Sequence, residues 1–222
     1  MKELKDIENH FEKSLRLFFW DFDRKSKCVF DFRSFLIIKK LTTLDSFDKK
    51  YKDSLNKVLI INYYGIIEMI LYDLTLRIYQ ANSKIEREAL NLSNEKIMRI
   101  KKYIAEKTAH DNKNKSALAI GSSKNFYIKG DHVLQLIIKE KLIGEEFDYK
   151  MLSDLQGYRN NVHSYRSKNV ITEYGKITIT TGTLKNILLY FSKNYKRTDE
   201  ILEKGMVKTF VFMPEKLDLK DK

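Results

Sequence analysis

One cysteine, one proline and eight glycines in 222 residues leave this chain with little covalent or conformational punctuation. The single thiol, Cys28, cannot close an intramolecular disulfide. With no Cys or His at ligand spacing around it, it also makes a poor start for a metal site. A reducing compartment fits that usage, and no metal or cofactor is expected. A long uncharged apolar run is missing too. The opening stretch MKELKDIENHFEKSLRLFFW carries acids and bases throughout, unlike a signal peptide. The most apolar stretch, VLIINYYGIIEMIL at 58–71, contains Glu68 and falls short of the roughly 20 residues a bilayer span needs. The expectation is a soluble, cytoplasmic protein with no membrane partner.

What is present is apolar surface and positive charge. Hydrophobic residues make up 43% and the chain holds 13 Phe and 13 Tyr, enough to bury a core unaided. One domain over 1–222 is the simplest division. A formal charge of +12 favours a polyanionic partner, because lysines and arginines that neutralise phosphates release counterions. Lysine-rich faces are equally the ordinary solvated side of a helical protein.

Scarce proline and apolar residues recurring at three- and four-residue steps predict a mainly α fold. Ile7, Phe11, Leu15 and Phe18 or Phe19 mark a first helix. Phe35, Ile38 and Leu41 mark a second after the aromatic segment CVFDF, and together these form an N-terminal helical arm over 1–49. From Ser54 to about Gln80 the pattern is apolar nearly all round, as a central helix requires. Ser93 is placed to cap a basic amphipathic helix, and Asp131 to cap HVLQLIIKEKLI, which a glycine stop at Gly144 ends. The polar segment between them contains GSSKN, which lacks the glycine spacing and GK[ST] ending of a phosphate-binding P-loop. Further on, ITEYGKITIT alternates apolar and polar residues and predicts a hairpin near 169–181. Thr181 or Thr183 would then start a closing helix, LKNILLYFSKNY. VKTFVFMPEK reads as a last strand, and KLDLKDK as a frayed tail, so that 197–222 is a C-terminal strand and tail.

The segment YRNNVHSYR at 158–166 holds the chemistry-bearing pair. Met151, Leu152, Leu155, Tyr158, Val162 and Tyr165 form one apolar stripe. At about 100° per residue Arg159 lies roughly 60° from its centre and His163 roughly 100°, stacked one turn apart on its flank. A histidine exchanges protons near neutral pH, and an arginine offers a planar fork for a phosphate. These two are the minimum equipment for metal-free RNA cleavage, in which the ribose 2′-hydroxyl is the nucleophile. The same pair is also an ordinary polar helix edge.

The run LQLIIKEKLIGEEFDYKMLSDLQGYRNNVHSYR, ending in L-x-x-L-x-x-x-RN-x-V-H, resembles the HEPN superfamily, the higher eukaryote and prokaryote nucleotide-binding domains. NYYGIIEMILYDLTLRIY is similar to that family's core helix, and LKNILLYFSKNY to its closing helix, so the resemblance covers roughly 50–196. It implies an up-and-down helical bundle that forms a homodimer, here with a small β-hairpin or strand attachment. It also implies a metal-independent endoribonuclease acting on single-stranded RNA as a toxin or phage-defence effector, with an antitoxin or defence partner protein. Arg159 and His163 match the family's arginine and histidine, and Asn160 the polar residue that follows the arginine. The family places four to six residues between arginine and histidine; this chain has three. A non-catalytic module of the same kind, binding nucleotide, RNA or a partner protein with Arg159 as an anion anchor, is the alternative.

Glu68 stands in the middle of the most apolar helix, where an unpaired carboxylate is costly, and a salt bridge orienting Arg159 is one expectation. A locally paired or water-facing carboxylate is the other. For RNA contact the expectation falls on Lys96, Arg99 and Lys102, with Lys101 and Lys107 beside them, Tyr103 interleaved, and Arg166 extending the site. Tyr103 reads equally as a core-boundary residue.

Overall fold

The computed structural model describes residues 2–16, 22–44, 48–113, 128–163, 174–195 and 213–218. Among them the chain forms eight helices and a C-terminal 3-10 turn, with no strand: a mainly α helical bundle. The helices are α1 (Lys2–Arg16), α2 (Phe22–Thr42), α3 (Lys49–Gln80), α4 (Lys84–Ala89), α5 (Asn94–Lys113), α6 (Gly130–Lys139), α7 (Tyr149–His163) and α8 (Tyr174–Asn194). The 3-10 turn is Pro214–Leu217.

Helix α3 organises the rest. Its apolar residues point in nearly every direction, and α2, α5, α6, α7 and α8 all pack on it. Tyr64, Ile66 and Leu76, which point to different sides of the helix, are all buried. By length and composition Ser54–Gln80 could cross a bilayer, and 61% of its most apolar window is buried inside the protein. The helix is longer than the stretch 58–71 suggested, because polar residues at both ends still carry inward-facing apolar neighbours.

Between α1, α2 and α3 the core is aromatic. Phe11 stacks on Phe32 with ring centroids 3.9 Å apart, Phe35 meets Tyr63 edge-on at 4.1 Å, and none is more than 2% exposed. The segment CVFDF, read from sequence as preceding the second helix, lies within α2, since Cys28, Val29 and Phe32 fall on its inward face. Burial raises the pKa of the Cys28 thiol, which makes it a packing group without redox reactivity.

Several turns have identifiable causes. Ser83 and Glu86 make a reciprocal capping box that starts α4, and Ser93 accepts the Lys96 N–H to start α5, as its position predicted. Gly144 has φ +93, a backbone region that side chains other than glycine resist, and an added Cβ would meet the Tyr190 ring at 2.7 Å. Asp131 does not cap α6. Lys129 occupies the capping position, and Asp131 lies in the first turn, where its carboxylate accepts from Gln156 of α7.

Two expectations are corrected. Residues 174–181, placed by their alternation in a hairpin near 169–181, are the first turns of α8, which therefore begins well before Thr181 or Thr183. Residues 169–173 lie outside the described residues. Ile177, Thr181, Leu184, Leu188, Phe191 and Tyr195 recur at helical steps. Leu184, Leu188, Phe191 and Tyr195 are buried, so the helix continues back through a stretch whose β-branched residues favour strand only weakly. In the expected last strand, Pro214–Lys216 belong to the 3-10 turn, because proline fixes φ and has no N–H for a ladder. Residues 207–212 lie outside the described residues. The expected frayed tail is anchored where it is described: Leu217 is 3% exposed, and Lys185 of α8 pairs with Asp218.

The 3-10 turn is held to α1 by a histidine. His10 is 8% exposed, and its Nε2 accepts the Met213 N–H at 3.3 Å, a role only the neutral ring can fill. Burial, then Lys216, lowers its pKa, with Glu215 opposing and Lys13 adding to the fall. The contact is thus complete above the ordinary histidine value of 6.5 and lost as pH falls through the lowered value. The protection of the Met213–Asp218 amides, taken relative to their intrinsic exchange at each pH, should fall as pH drops below 6.5 and before the bundle unfolds, and His10→Gln should abolish that dependence. Phe32→Ala, which empties the aromatic layer, should cost about 3–5 kcal/mol in urea unfolding.

Candidate functional site

Three helices bring polar groups together at one place on the bundle. Glu68 comes from α3, Gly130 and Asp131 from the first turn of α6, and Gln156, Arg159 and Asn160 from α7. The inward stripe of α7 fixes which residues face out. Leu152 and Leu155 are fully buried and Tyr158 is half-buried, which leaves Arg159 on the flank with its side chain 39% exposed. Val162 and Tyr165 lie outside the described side chains.

Arg159 Nη2 stands 3.8 Å from Glu68 Oε2, and Nη1 donates to Asn160 Oδ1 at 3.1 Å. The Glu68 contact is an ion pair rather than a hydrogen bond, so it directs the guanidinium without sealing it. Glu68 is 31% exposed along its side chain. Burial raises its pKa; Arg159 pulls it back down, and Asp131 adds to the rise. Asp131 is itself held by Gln156, whose Nε2 donates to its Oδ1 at 2.5 Å.

Gly130 explains how Glu68 sits so close to α6. A Cβ on this residue would lie 2.2 Å from Glu68 Oε1, so a backbone without a side chain is what lets the carboxylate lodge there. Tyr64, one turn before Glu68 on α3, borders the same group. It is 3% exposed, and its pKa is raised by burial first, then by Glu68, with Arg159 opposing and Asp131 adding. Sequence reasoning missed Tyr64 and Gly130. The i, i+4 relation of Tyr64 to Glu68 was the available signal; no local pattern foretells Gly130.

The α7 backbone continues to His163, one turn and about 6 Å beyond Arg159 along the helix axis. The His163 side chain and the whole of Arg166 lie outside the described residues.

The α5 cations stand differently from the expected RNA-contacting row. Arg99 is exposed but bound to Glu140 at 3.1 Å, Lys96 is half-exposed and Lys102 is exposed. Lys101 turns to the Ala81 carbonyl and Asn82, finishing the α3–α4 turn. Tyr103 donates to the His132 carbonyl at 3.3 Å and packs α5 on α6, as its boundary reading anticipated, while Lys107 lies over its ring. Glu95, Met98 and Glu106 share the exposed face, so it is mixed rather than uniformly basic. No ion pair or hydrogen bond among the described residues joins Lys96, Arg99 or Lys102 to Arg159. Among the described residues no group of three or more His, Cys, Asp or Glu is arranged to hold a metal ion.

The Glu68 carboxylate loses more by burial than it regains from Arg159, so Glu68→Gln should leave the melting temperature at pH 7 unchanged or raised. The unmodified chain should also gain stability relative to this variant as pH falls from 7 toward 4.5, because a raised acid pKa favours the folded state where the group is protonated. A scan against protein-family models and searches of curated proteins and of solved structures return no match for this chain.

Proposed function

We propose that this chain is a metal-independent endoribonuclease of HEPN type that cleaves single-stranded RNA. The observation that carries the reading is the setting of Arg159: a half-exposed guanidinium aimed by Glu68 at 3.8 Å and Asn160 at 3.1 Å, one helical turn from a histidine on the same helix. In the proposed reaction His163 accepts the proton of a ribose 2′-hydroxyl, and the oxygen attacks the adjacent phosphorus. The bond from phosphorus to the 5′-oxygen breaks, the departing oxygen takes a proton from water and His163 gives its own back to solvent, leaving a 2′,3′-cyclic phosphate and a 5′-hydroxyl. Arg159 holds the non-bridging oxygens as charge builds on them. Glu68 and Asn160 keep the guanidinium turned outward. A net charge of +12 supports general attraction for RNA. Action as a cytoplasmic homodimer in a toxin or phage-defence role, with an antitoxin or defence partner, belongs to the same proposal and follows from the resemblance.

A second reading is a non-catalytic helical module that binds nucleotide, RNA or a partner protein through Arg159. The three-residue gap between Arg159 and His163 favours it.

The two separate on an unstructured RNA oligonucleotide in excess EDTA. The ribonuclease reading expects cleavage of RNA and not of the same sequence as DNA, with His163→Ala slower by about 10²–10⁴-fold and Arg159→Ala by about 10²–10³-fold. Retained RNA binding with no cleavage, weakened by Arg159→Ala and not by His163→Ala, selects the second reading.

A further inference from the structure

On α2 the outward face is apolar at its centre. Phe30 is 62% exposed and Ile37 49%, and a step of seven residues puts them on one side of the helix, about 10.5 Å apart along it. Ile37 is also one wall of a groove of about 540 Å³ between α1 and α2, with Leu4 and Leu36 as its other apolar walls and Lys5, Glu8 and Arg33 along it. Phe30 stands outside this groove. One helix therefore carries an uncovered aromatic side chain and, two turns on, an apolar hollow. The charges around this face are cancelled within the chain. Arg33 donates to both carboxylate oxygens of Glu8, at 2.9 and 2.5 Å, Lys27 pairs with Asp31 at 3.1 Å, and Lys25 with Glu12 at 3.8 Å. Two copies of a chain of formal charge +12 repel one another, and least where the cations already have partners. A polyanion gains little from cations that are paired in this way.

We propose that two copies of this chain associate through α2, the two helices running antiparallel, with the Phe30 ring of each seated at the Ile37 groove of the other. A two-fold axis midway between residues 30 and 37 turns each ring onto the partner's hollow, which is the reciprocity a closed dimer requires. The α1–α2 layer is two helices wide and 15 to 21 residues long, a footprint of about 400–600 Å² per chain. That falls below the roughly 800 Å² per partner of a standard interface, so the dimer is a weak one, with a dissociation constant of about 1–100 μM. The contact lies on the N-terminal arm, outside residues 50–196 and apart from Arg159 and His163, so it does not depend on whether the chain cuts RNA.

The test is sedimentation velocity of the full chain from about 1 to 300 μM. A monomer–dimer equilibrium is expected. Phe30→Glu and Ile37→Lys, each at an exposed position and checked for unchanged helical circular dichroism, should weaken it about a hundredfold, because each substitution acts twice in a two-fold contact. The register is read by mild oxidation of thiol variants, which the buried Cys28 does not disturb. Phe30→Cys mixed with Ile37→Cys should give a disulfide-linked dimer. Phe30→Cys alone should not, because its two thiols lie about 10 Å apart along the helices, beyond disulfide reach. The inference is overturned by a monomer over the whole range, which would leave this face to a different partner, or by a dimer that both charged substitutions leave intact. Linkage in Phe30→Cys alone, or none in the mixture, overturns it as well. Cleavage of single-stranded RNA is measured on the same samples. A dimer that does not cut keeps this contact and removes the ribonuclease reading, and a monomer that cuts does the reverse.

Discussion

A helix that is apolar on nearly every side cannot be left at a surface, and the burial of α3 is the constraint from which the other contacts follow. Five helices enclose it, and the aromatic layer of Phe11, Phe32, Phe35 and Tyr63 closes the side toward α1 and α2. Each fully buried side chain of this kind contributes on the order of 1.5–3 kcal/mol, so the spine and its partners hold most of the bundle's apolar stabilisation. The C-terminal 3-10 turn adds a smaller contact, pinned by Leu217 and by the neutral ring of His10.

Placing Glu68 on such a helix has electrostatic consequences. Burial works against its charge, Arg159 works for it, and Asp131 works against it again, with burial the largest effect. A separation of 3.8 Å between partly exposed groups yields at most about 1 kcal/mol, so the pair is better understood as aiming a guanidinium than as holding helices together. Gly130 belongs to this arrangement, because its missing side chain is the space into which Glu68 fits. Tyr64, one turn before Glu68 on the same helix, borders the group, and burial followed by Glu68 keeps its phenol protonated.

Much of this was legible beforehand. The stripe on α7 correctly put Leu152 and Leu155 inside and Arg159 on the flank, and a carboxylate in an apolar helix correctly pointed to a nearby cation. The alternation in KITIT misled because period-two and helical patterns overlap over five residues. What tips the balance is the buried row from Leu184 to Tyr195, which extends the helix backward. The α5 lysines looked like one basic strip, whereas Glu140, Ala81 and the Tyr103 ring engage several of its cations. Those partners lie 20 to 41 residues away for Arg99 and Lys101, beyond the reach of any local pattern.

The sequence by itself determined the helical class, the central place of α3 and the outward flank of α7, because each depends only on the spacing of apolar residues along one helix. Tertiary structure decided which polar groups meet. Glu68, Gly130 and Arg159 come from three separate helices, and their approach is set by how α6 and α7 pack on α3, a distance relation that helical periodicity does not encode. YRNNVHSYR supplies the arginine and the histidine; α3 and α6 supply the carboxylate, the bare glycine and the phenol around the arginine.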